Sequence, residues 1–487
     1  AAAQLRAQLG ESLSSIQQSD KPPLEATTSD LRAFKAFSEA NALMVSGRII
    51  EALPFVRRAV ELDPKFILAY DRLTIICWAT DQPEAAAEYE AKIIQIGEER
   101  VAQSKAPVSE YAKLDIATWS QRLIAGNLNK SVESALAQRQ MAPRGATAQN
   151  EMGLAYFLLG QFEQALAPLN EAIRLNRNFA APYRGLTLSL IRLNRFAEAK
   201  DTLSQALQLK LDMTPYHTYL YQLAFINGDA AGMQQQLDWA QGQQDQYVAF
   251  DWQTSSAAFS GQWQKAQDFS RRAIDLATRG DNRELAARYA TEQALRSAVF
   301  GDCRLARTNA AQGLAFGRGR LPLERAGLAL ALCGVPQQAQ SLADELARRF
   351  PEDTISNEIW QPLIRAALQL QRGGSSQRAT QAIEQLQPTS RYESIAEFWP
   401  QYLRGQAYLK LGRGAEAAAE FQKILDHRGY APLSPLYPLA QLGLARAAAL
   451  MSDTVKGHKA YEDFFAVWKE ADSDLPILRE TMRAYKK

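Results

Sequence analysis

The sequence is poor in the residues from which catalytic and metal sites are usually built. It has three histidines and three cysteines among 487 residues, and the histidines, His217, His427 and His458, lie far apart in the chain. No motif typical of a zinc site, a nucleophile elbow, a phosphate-binding loop or a kinase occurs. The glycines at 317 and 319 lack the third glycine and the preceding strand of a dinucleotide site. The sequence therefore predicts no enzyme activity, no cofactor and no metal.

The sequence also lacks an excess of either charge and any long apolar run. Lys plus Arg number 55 and Asp plus Glu number 53, a formal net charge of +2. Nucleic-acid-binding domains usually carry a clustered basic face, and a membrane span needs roughly 20 apolar residues. We therefore expect no nucleic-acid partner and no membrane contact by this chain. Because the chain opens with Ala1-Ala2-Ala3 and not with Met, we expect it to be part of a longer protein. That parent protein can be membrane-anchored.

The clearest signal is a repeat of 34 residues. A unit of this length consists of two antiparallel helices, with small residues where the helices cross and large apolar residues beside them. The unit that begins at residue 398 shows the pattern most fully: these positions hold Gly405, Tyr408, Gly412, Ala417 and Phe421. Because the frame holds across adjacent units, the sequence predicts tetratricopeptide-type repeats.

We predict an all-α fold, a right-handed superhelical solenoid of about twelve such helix pairs with a leading and a capping helix. The array covers residues 33–470, after a leading helix and connector in 1–32 and before a capping helix in 471–487. Extra residues at 101–111 and 277–285 interrupt the frame and predict local bends. The units begin near Ala33, Ile67, Ala112, Ala146, Ala180, Thr214, Tyr247, Ala287, Arg320, Trp360, Phe398 and Leu436.

The first helix of each unit lines the concave face of such an array, so unit positions 5 and 6 predict a groove for a protein or peptide partner. The residues selected there are Arg72, Asn150, Arg184, Tyr219, Asp251, Trp252, Arg325 and Arg365. Large aromatic side chains beside arginines are common anchors of binding surfaces. Tyr219 and Trp252 fit the alternative that they are packing residues equally well, because aromatic residues at helical spacing are usually core.

Several strings in the chain are similar to a known family. They are LGESLSSIQ at 9–17, PLEATTSDLRAFKAFS at 23–38, RRFPEDTISNEIWQPLIRAAL at 348–368, YLRGQAYLKLGRGAEAAAEFQKILDHRG at 402–429, LAQLGLARA at 439–447 and FFAVWKEADSDLPIL at 464–478. Together they resemble the C-terminal repeat region of large bacterial serine/threonine protein kinases. In that family a cytoplasmic kinase domain, a membrane helix and a small α/β domain precede the array.

The resemblance implies a non-catalytic, periplasmic, sensory part of a receptor-type signalling protein. The leading expectation is a scaffold that binds a protein or peptide. A related array occurs in winged-helix transcription regulators, so the alternative is a small-molecule effector-binding domain in the cytoplasm. A closed pocket and a ligand-dependent melting temperature would distinguish the second function from the first.

The three cysteines differ in their unit positions. Cys77 occupies a core position, where a buried thiol behaves as a small apolar group. Cys303 begins the second helix of one unit, and Cys333 ends the first helix of the next. Since these helices are antiparallel neighbours, the pair can reach the separation of roughly 4.4–6.8 Å that a disulfide requires. Two free thiols packed as small apolar residues are the alternative. A bond fits the periplasmic placement that the resemblance implies.

Overall fold

The computed structural model describes the positions 28–80, 82–102, 110–243, 245–371 and 376–485. Every regular element within those residues is a helix, and no strand occurs among them. The chain divides into two compact units, which we call the first unit (residues 1–124) and the second unit (residues 125–487). The predicted leading helix in residues 1–32 lies almost wholly outside the described residues.

The first unit contains helices that pack as consecutive neighbours. They are α1 (Leu31–Val45), α2 (Ile49–Leu62), α3 (Ile67–Ala79), α4 (Pro83–Ala102) and α5 (Glu110–Leu123). The Asp30 side chain starts α1 by accepting hydrogen bonds from the backbone N–H groups of Arg32 and Ala33, which the helix itself leaves unbonded. Phe37 of α1 packs on Phe66, with ring centroids 5.1 Å apart, so the core of this unit forms between successive helix pairs.

The second unit continues the same alternation of helices. Its first part comprises α6 (Leu128–Met141), α7 (Ala146–Leu158), α8 (Phe162–Leu175), α9 (Ala180–Arg192), α10 (Phe196–Gln208), α11 (Thr214–Ile226), α12 (Ala230–Ala240), α13 (Tyr247–Phe259) and α14 (Trp263–Arg279). Its second part comprises α15 (Arg283–Val299), α16 (Cys303–Phe316), α17 (Arg320–Leu332), α18 (Pro336–Arg349), α19 (Gln361–Gln371), α20 (Ser376–Gln385), α21 (Trp399–Lys410), α22 (Gly414–Asp426), α23 (Leu436–Leu450), α24 (Thr454–Val467) and α25 (Pro476–Tyr485).

Three shorter turns of helix lie between these elements of the second unit. A π-helical turn spans Ser356–Trp360, and 3₁₀ turns span Gln387–Ile395 and Arg428–Tyr430. Each of the three connects one helix pair to the next. Residues of both 3₁₀ turns also hydrogen-bond to much earlier helix pairs of the same unit.

Small residues at the helix crossings explain the close packing. Phe421 of α22 is fully buried, and its ring lies between Gly405 of α21 and Gly443 of α23. A Cβ atom added to either glycine would lie 2.6 Å from that ring, well inside van der Waals contact. The same relation holds between Gly153 and Leu169, where the distance would be 2.4 Å. The 34-residue pattern therefore encodes a pairing of glycine with a large neighbour.

The all-α solenoid of consecutive packed helix pairs is confirmed. The extra residues at 277–285 lengthen α14 and α15 to 17 residues each. Those at 101–111 fall mostly outside the described residues. α25 begins at Pro476, inside the range given for the capping helix.

One feature of the second unit departs from a simple solenoid. Turns within its early helix pairs hydrogen-bond to connections between its late ones, more than 200 residues further along the chain. We call these contacts the seam: Thr354 N–H to the Gly126 carbonyl at 3.0 Å, Ser394 Oγ to the Gly160 carbonyl at 3.2 Å, Gly429 N–H to Asn194 Oδ1 at 2.8 Å and Asp472 N–H to the Gly261 carbonyl at 3.0 Å. Most repeats of a solenoid contact only their neighbours. The second unit instead returns on itself.

Candidate functional site

The eight residues predicted to line a groove do not share one environment. Arg72 lies in the first unit and the other seven lie in the second. The second-unit residues divide by exposure. Asn150, Tyr219, Trp252 and Arg325 are buried; Arg184 and Asp251 are partly exposed and Arg365 is exposed.

The buried members require a correction to the expected groove. Trp252 is 3% exposed and packs in a cluster that includes Leu433, from the connection between α22 and α23. Arg325 donates from Nη2 to Glu397 Oε1 at 2.8 Å and lies 3.8 Å from the centroid of the Trp360 ring. Tyr219 is 6% exposed and lies near enough to Arg192 to interact with it electrostatically. The return of the chain along the seam covers these positions, so they do not offer an open surface to a partner. For Tyr219 and Trp252 the packing interpretation is the one that the structure favours.

Asn150 is buried for a local reason. Its Nδ2 donates to Glu151 Oε1 at 3.4 Å, so two polar residues at adjacent groove positions lie against each other. Arg365 lies apart from the others, and its Nη2 donates to Gln361 Oε1 at 3.1 Å. The predicted set is therefore scattered, and only part of it lies on accessible surface.

In the first unit, Arg72 belongs to a small polar patch that we call the Arg72 patch: Phe37, Asn41, Asp71 and Arg72. Arg72 Nε donates to Asn41 Oδ1 at 3.1 Å, and Nη1 donates to Asp71 Oδ2 at 2.8 Å. Its guanidinium carbon lies 5.8 Å from the Phe37 ring centroid, within the range of a cation–π contact. The Arg72 side chain is 27% exposed. It is thus held in one orientation while part of it still reaches solvent.

A second polar surface lies on α13 and α15 in the second unit. We call it the Arg296 cluster: Asp251, Ser255, Arg288, Glu292 and Arg296. Arg296 Nη2 lies 3.1 Å from Ser255 Oγ and 3.6 Å from both Asp251 Oδ1 and Glu292 Oε2. Arg288 Nε lies 3.7 Å from Glu292 Oε1. Of these residues only Asp251 was among the predicted groove residues, although Arg288, Glu292 and Arg296 stand four residues apart, a spacing that places them on one helix face.

A buried carboxyl in the first unit was also missed. Glu90 of α4 is buried and its Oε1 has no hydrogen-bond partner among the described residues. Burial, together with the neighbouring carboxylates Asp71 and Asp115, raises the pKa of Glu90 to about 8, despite the opposing charge of Arg122. Glu90 falls at unit position 24, which normally holds a large apolar residue, so the sequence did carry a signal. The group is therefore protonated at neutral pH.

The second unit also has an open pocket of about 290 Å³ at the start of α13 and the end of α14. Its lining consists of Gln246, Phe250, Arg272, Asp275, Leu276 and Arg279. The Arg272 guanidinium carbon lies 4.2 Å from the Phe250 ring centroid, so the two side chains already form a cation–π contact. The volume is just below the range of roughly 300–1,000 Å³ typical of small-molecule sites.

The cysteines and histidines take up structural positions. Cys303 and Cys333 form a disulfide with their Cα atoms 5.3 Å apart, and Cys77 is a buried free thiol. His217 lies flat on Trp239, with ring centroids 3.4 Å apart, and bonds to Gln236 Oε1 and Asp212 Oδ1. No group of three or more metal-ligating side chains occurs in the ranges that the structure describes. Nor does any helix of those ranges have the length and apolar character to cross a bilayer.

Comparisons with known proteins agree with the helix pairing. A family model described as a tetratricopeptide repeat matches residues 146–179, the pair formed by α7 and α8. No curated protein matches the chain in sequence.

Three solved structures are similar at low identity. The P58(IPK) TPR domain is 15% identical, with 78% of this chain and 98% of that chain covered and a TM-score of 0.23. A human IFIT1 dimer with PPP-AAAA is 14% identical over 80% and 88%, with a TM-score of 0.39. Yeast Tom70 is 13% identical over 86% and 95%, with a TM-score of 0.33. At these TM-scores the assignment depends on the matched repeat and the helices themselves, which support a tetratricopeptide-type array, a scaffold suited to protein interaction.

Proposed function

We propose that this chain is the non-catalytic, protein- or peptide-binding region of a bacterial signalling protein, of the receptor-type serine/threonine kinase class. The observation that carries the proposal is the Arg72 patch, a preorganised and partly exposed polar surface on the first helices of two successive pairs. Arrays of this repeat are typically scaffolds, and partner contacts gain affinity when the contacting side chains are already held in place. Arg72 satisfies that condition through Asn41 and Asp71.

The Arg296 cluster supplies a second surface of the same kind in the second unit. Arg296 Nη2 donates to Ser255 Oγ at 3.1 Å, and the carboxylates of Asp251 and Glu292 lie 3.6 Å from the same atom. The cluster therefore presents acidic and basic side chains together, which suits a partner that carries both charges. Buried polar surface of mixed charge contributes to specificity more than to affinity.

Position-specific photo-crosslinking tests the proposed surface. A photoreactive amino acid at Ile75, one turn of α3 beyond Arg72 and partly exposed, is expected to capture a protein partner from an extract of the source organism. The same group at Arg58, an exposed position on α2, is the matched control. Capture at Ile75 that is lost in Arg72→Ala but kept in Arg58→Ala supports the proposal. Equal capture at both positions, or none at either, contradicts it.

The periplasmic location remains part of the proposal. The Cys303–Cys333 disulfide supports it, because disulfides persist in oxidising compartments and are rare in the cytosol. The sequence that precedes residue 1 in the parent gene is the simplest check of the kinase context. A kinase domain and a membrane helix there agree with the proposal, whereas a winged-helix domain favours the effector-binding alternative in the cytoplasm. For that alternative, a small-molecule-dependent melting temperature that is abolished by Arg272→Gln would identify the pocket of α13 and α14 as the site.

A further inference from the structure

The seam brings a partly buried arginine close to the returning chain. Arg192 is the last residue of α9, directly after Ile191. Gly429, in the 3₁₀ turn between α22 and α23, packs so closely on this point that a Cβ there would lie 1.8 Å from the Ile191 carbonyl oxygen. The next residue, Tyr430, lies close enough to Arg192 for each to affect the other's pKa. The side chain of Arg192 thus lies between the early helices and the returning segment.

Arg192 has hydrogen-bonding groups that no described residue satisfies. Its Nε and Nη1 atoms are buried and have no hydrogen-bond partner among the described residues, and Arg192 is in no ion pair within 4 Å there. Burial lowers the pKa of Arg192, but an arginine stays charged in a protein. A buried N–H group without a partner is destabilising, and more so on a charged group. The position therefore needs an acceptor that also carries negative charge.

The carboxylate that faces Arg192 is already engaged. Glu397 raises the pKa of Arg192 from a distance, but its Oε1 accepts from Arg325 Nη2 at 2.8 Å. Glu397 is thus paired with Arg325 and acts on Arg192 only from a distance. The Glu397 side chain is 43% exposed, so solvent and small solutes reach this place.

Two tyrosine hydroxyls add neutral donors beside the arginine. Tyr219 and Tyr430 lie near enough to Arg192 to interact with it electrostatically, and Tyr219 is more than nine-tenths buried. Burial raises the pKa of Tyr430, so its hydroxyl keeps its proton at neutral pH and can donate. An arginine with two flanking hydroxyl donors is a set that suits the oxygens of an anion.

We propose that Arg192, Tyr219 and Tyr430 form a binding site for a small oxyanion of the phosphate or carboxylate class, assembled by the seam of the second unit. Arg428 shows by contrast why the site is centred on Arg192. Its Nη1 donates weakly to the Ile226 carbonyl at 3.5 Å, and the rings of Phe259 and Tyr437 lie 5.7 and 5.2 Å from its guanidinium carbon. The Arg428 guanidinium thus has cation–π contacts with two rings, although its Nε also lacks a hydrogen-bond partner among the described residues. Arg192 has no such cover among the described residues. The site goes beyond partner binding and needs no protein ligand.

Calorimetric titration of the whole chain with sodium phosphate, and separately with sodium acetate, tests the site at constant ionic strength. We expect saturable binding of at least one anion and a rise in the melting temperature with its concentration. Binding of phosphate alone assigns the phosphate class, and binding of acetate assigns the carboxylate class. Absence of binding by both overturns the proposal.

Variants locate the anion. Arg192→Gln should weaken binding by at least about tenfold, the equivalent of one charged hydrogen bond, whereas Glu397→Gln should strengthen it because the competing carboxylate is removed. Arg195→Gln, at a partly exposed position in the turn after α9, is the control and should bind as the wild type does. If Arg192→Gln does not fold, Tyr219→Phe and Tyr430→Phe replace it, each expected to weaken binding several-fold. Unchanged affinity in these variants, or equal loss in Arg195→Gln, overturns the proposal.

Discussion

The same position of the repeat unit is exposed to solvent in some helix pairs and buried in others. Arg72, at position 6 of its unit, keeps part of its side chain in solvent. Tyr219, Trp252 and Arg325 occupy the same position in later units and are buried. The local sequence pattern is the same in these cases, and Arg365, also at position 6 but in the second unit, is exposed. The buried positions are those that later parts of the chain contact, as Glu397 contacts Arg325 and Leu433 contacts Trp252. The repeat thus defines which positions belong to the groove, but contacts with later parts of the chain determine whether the side chains at these positions are exposed.

The largest expected effect comes from removing the Cys303–Cys333 disulfide, which lies in the second unit. Replacing both Cys303 and Cys333 with serine should lower the stability of the second unit by about 3–4 kcal/mol, the loop-entropy value for a closed loop of this length. Hydrogen exchange followed by mass spectrometry measures each unit separately. Peptides from α1 to α5 should exchange as in the wild type.

Thiol titration under denaturing, non-reducing conditions is the companion measurement. One reactive thiol per chain, Cys77, agrees with the disulfide, and three would contradict both the bond and this prediction.

A smaller effect is expected from a change in the seam. Gly429→Ala places a methyl group where the Ile191 carbonyl oxygen lies, and overpacking of this kind costs about 1–3 kcal/mol. Protection from exchange should fall at both edges of the seam, around Ile191 and around Gly429. The control is Gly97→Ala in α4, which meets no atom within 4 Å and should stabilise the first unit slightly, since alanine is the better helix former. Similar losses from both substitutions would argue against the seam.

The smallest effect is expected in the first unit alone, whereas the two preceding changes destabilise the second unit. The pKa of Glu90 is raised to about 8 from its ordinary value of 4.5. Between these values the folded state holds a proton that the unfolded state has released, so stability should fall as pH rises, by about 1.4 kcal/mol for each pH unit. Glu90→Gln should remove this slope between pH 6 and pH 7. Glu88→Gln, exposed on the same helix, should retain it, and a slope that persists in Glu90→Gln would disprove the assignment.

Local periodicity was enough to predict the helix pairs. Phe421 and the glycines beside it indicate a crossing because a large residue needs small neighbours in its own helix pair and in the next one. Cys303 and Cys333 could be placed together from the antiparallel arrangement of adjacent helices alone, and the structure has them 5.3 Å apart at their Cα atoms. Such relations involve residues of the same or the next unit, where the frame fixes the geometry.

The burial of Trp252 and Arg325 could not be predicted in this way. Whether the chain returns on itself depends on small rotations added over many units, and an error in each rotation accumulates. Glu397, the partner of Arg325, stands 72 residues further along the chain, in a connection whose two consecutive left-handed residues, Glu397 and Phe398, carry no glycine to indicate them. The site around Arg192 depends on the same return and has no local signature.

The seam has a consequence for the order in which the chain is made. Asn194 and Asp426, which bond through the Asn194 amide, are 232 residues apart. At a synthesis rate of about 5–20 residues per second, Asn194 is synthesised roughly 10–50 s before Asp426. Helix pairs built from neighbouring residues close at once, whereas contacts of such high sequence separation form slowly. During that interval the apolar surface around Tyr219 and Trp252 is exposed. We expect a chaperone that shields nascent apolar surface to bind there.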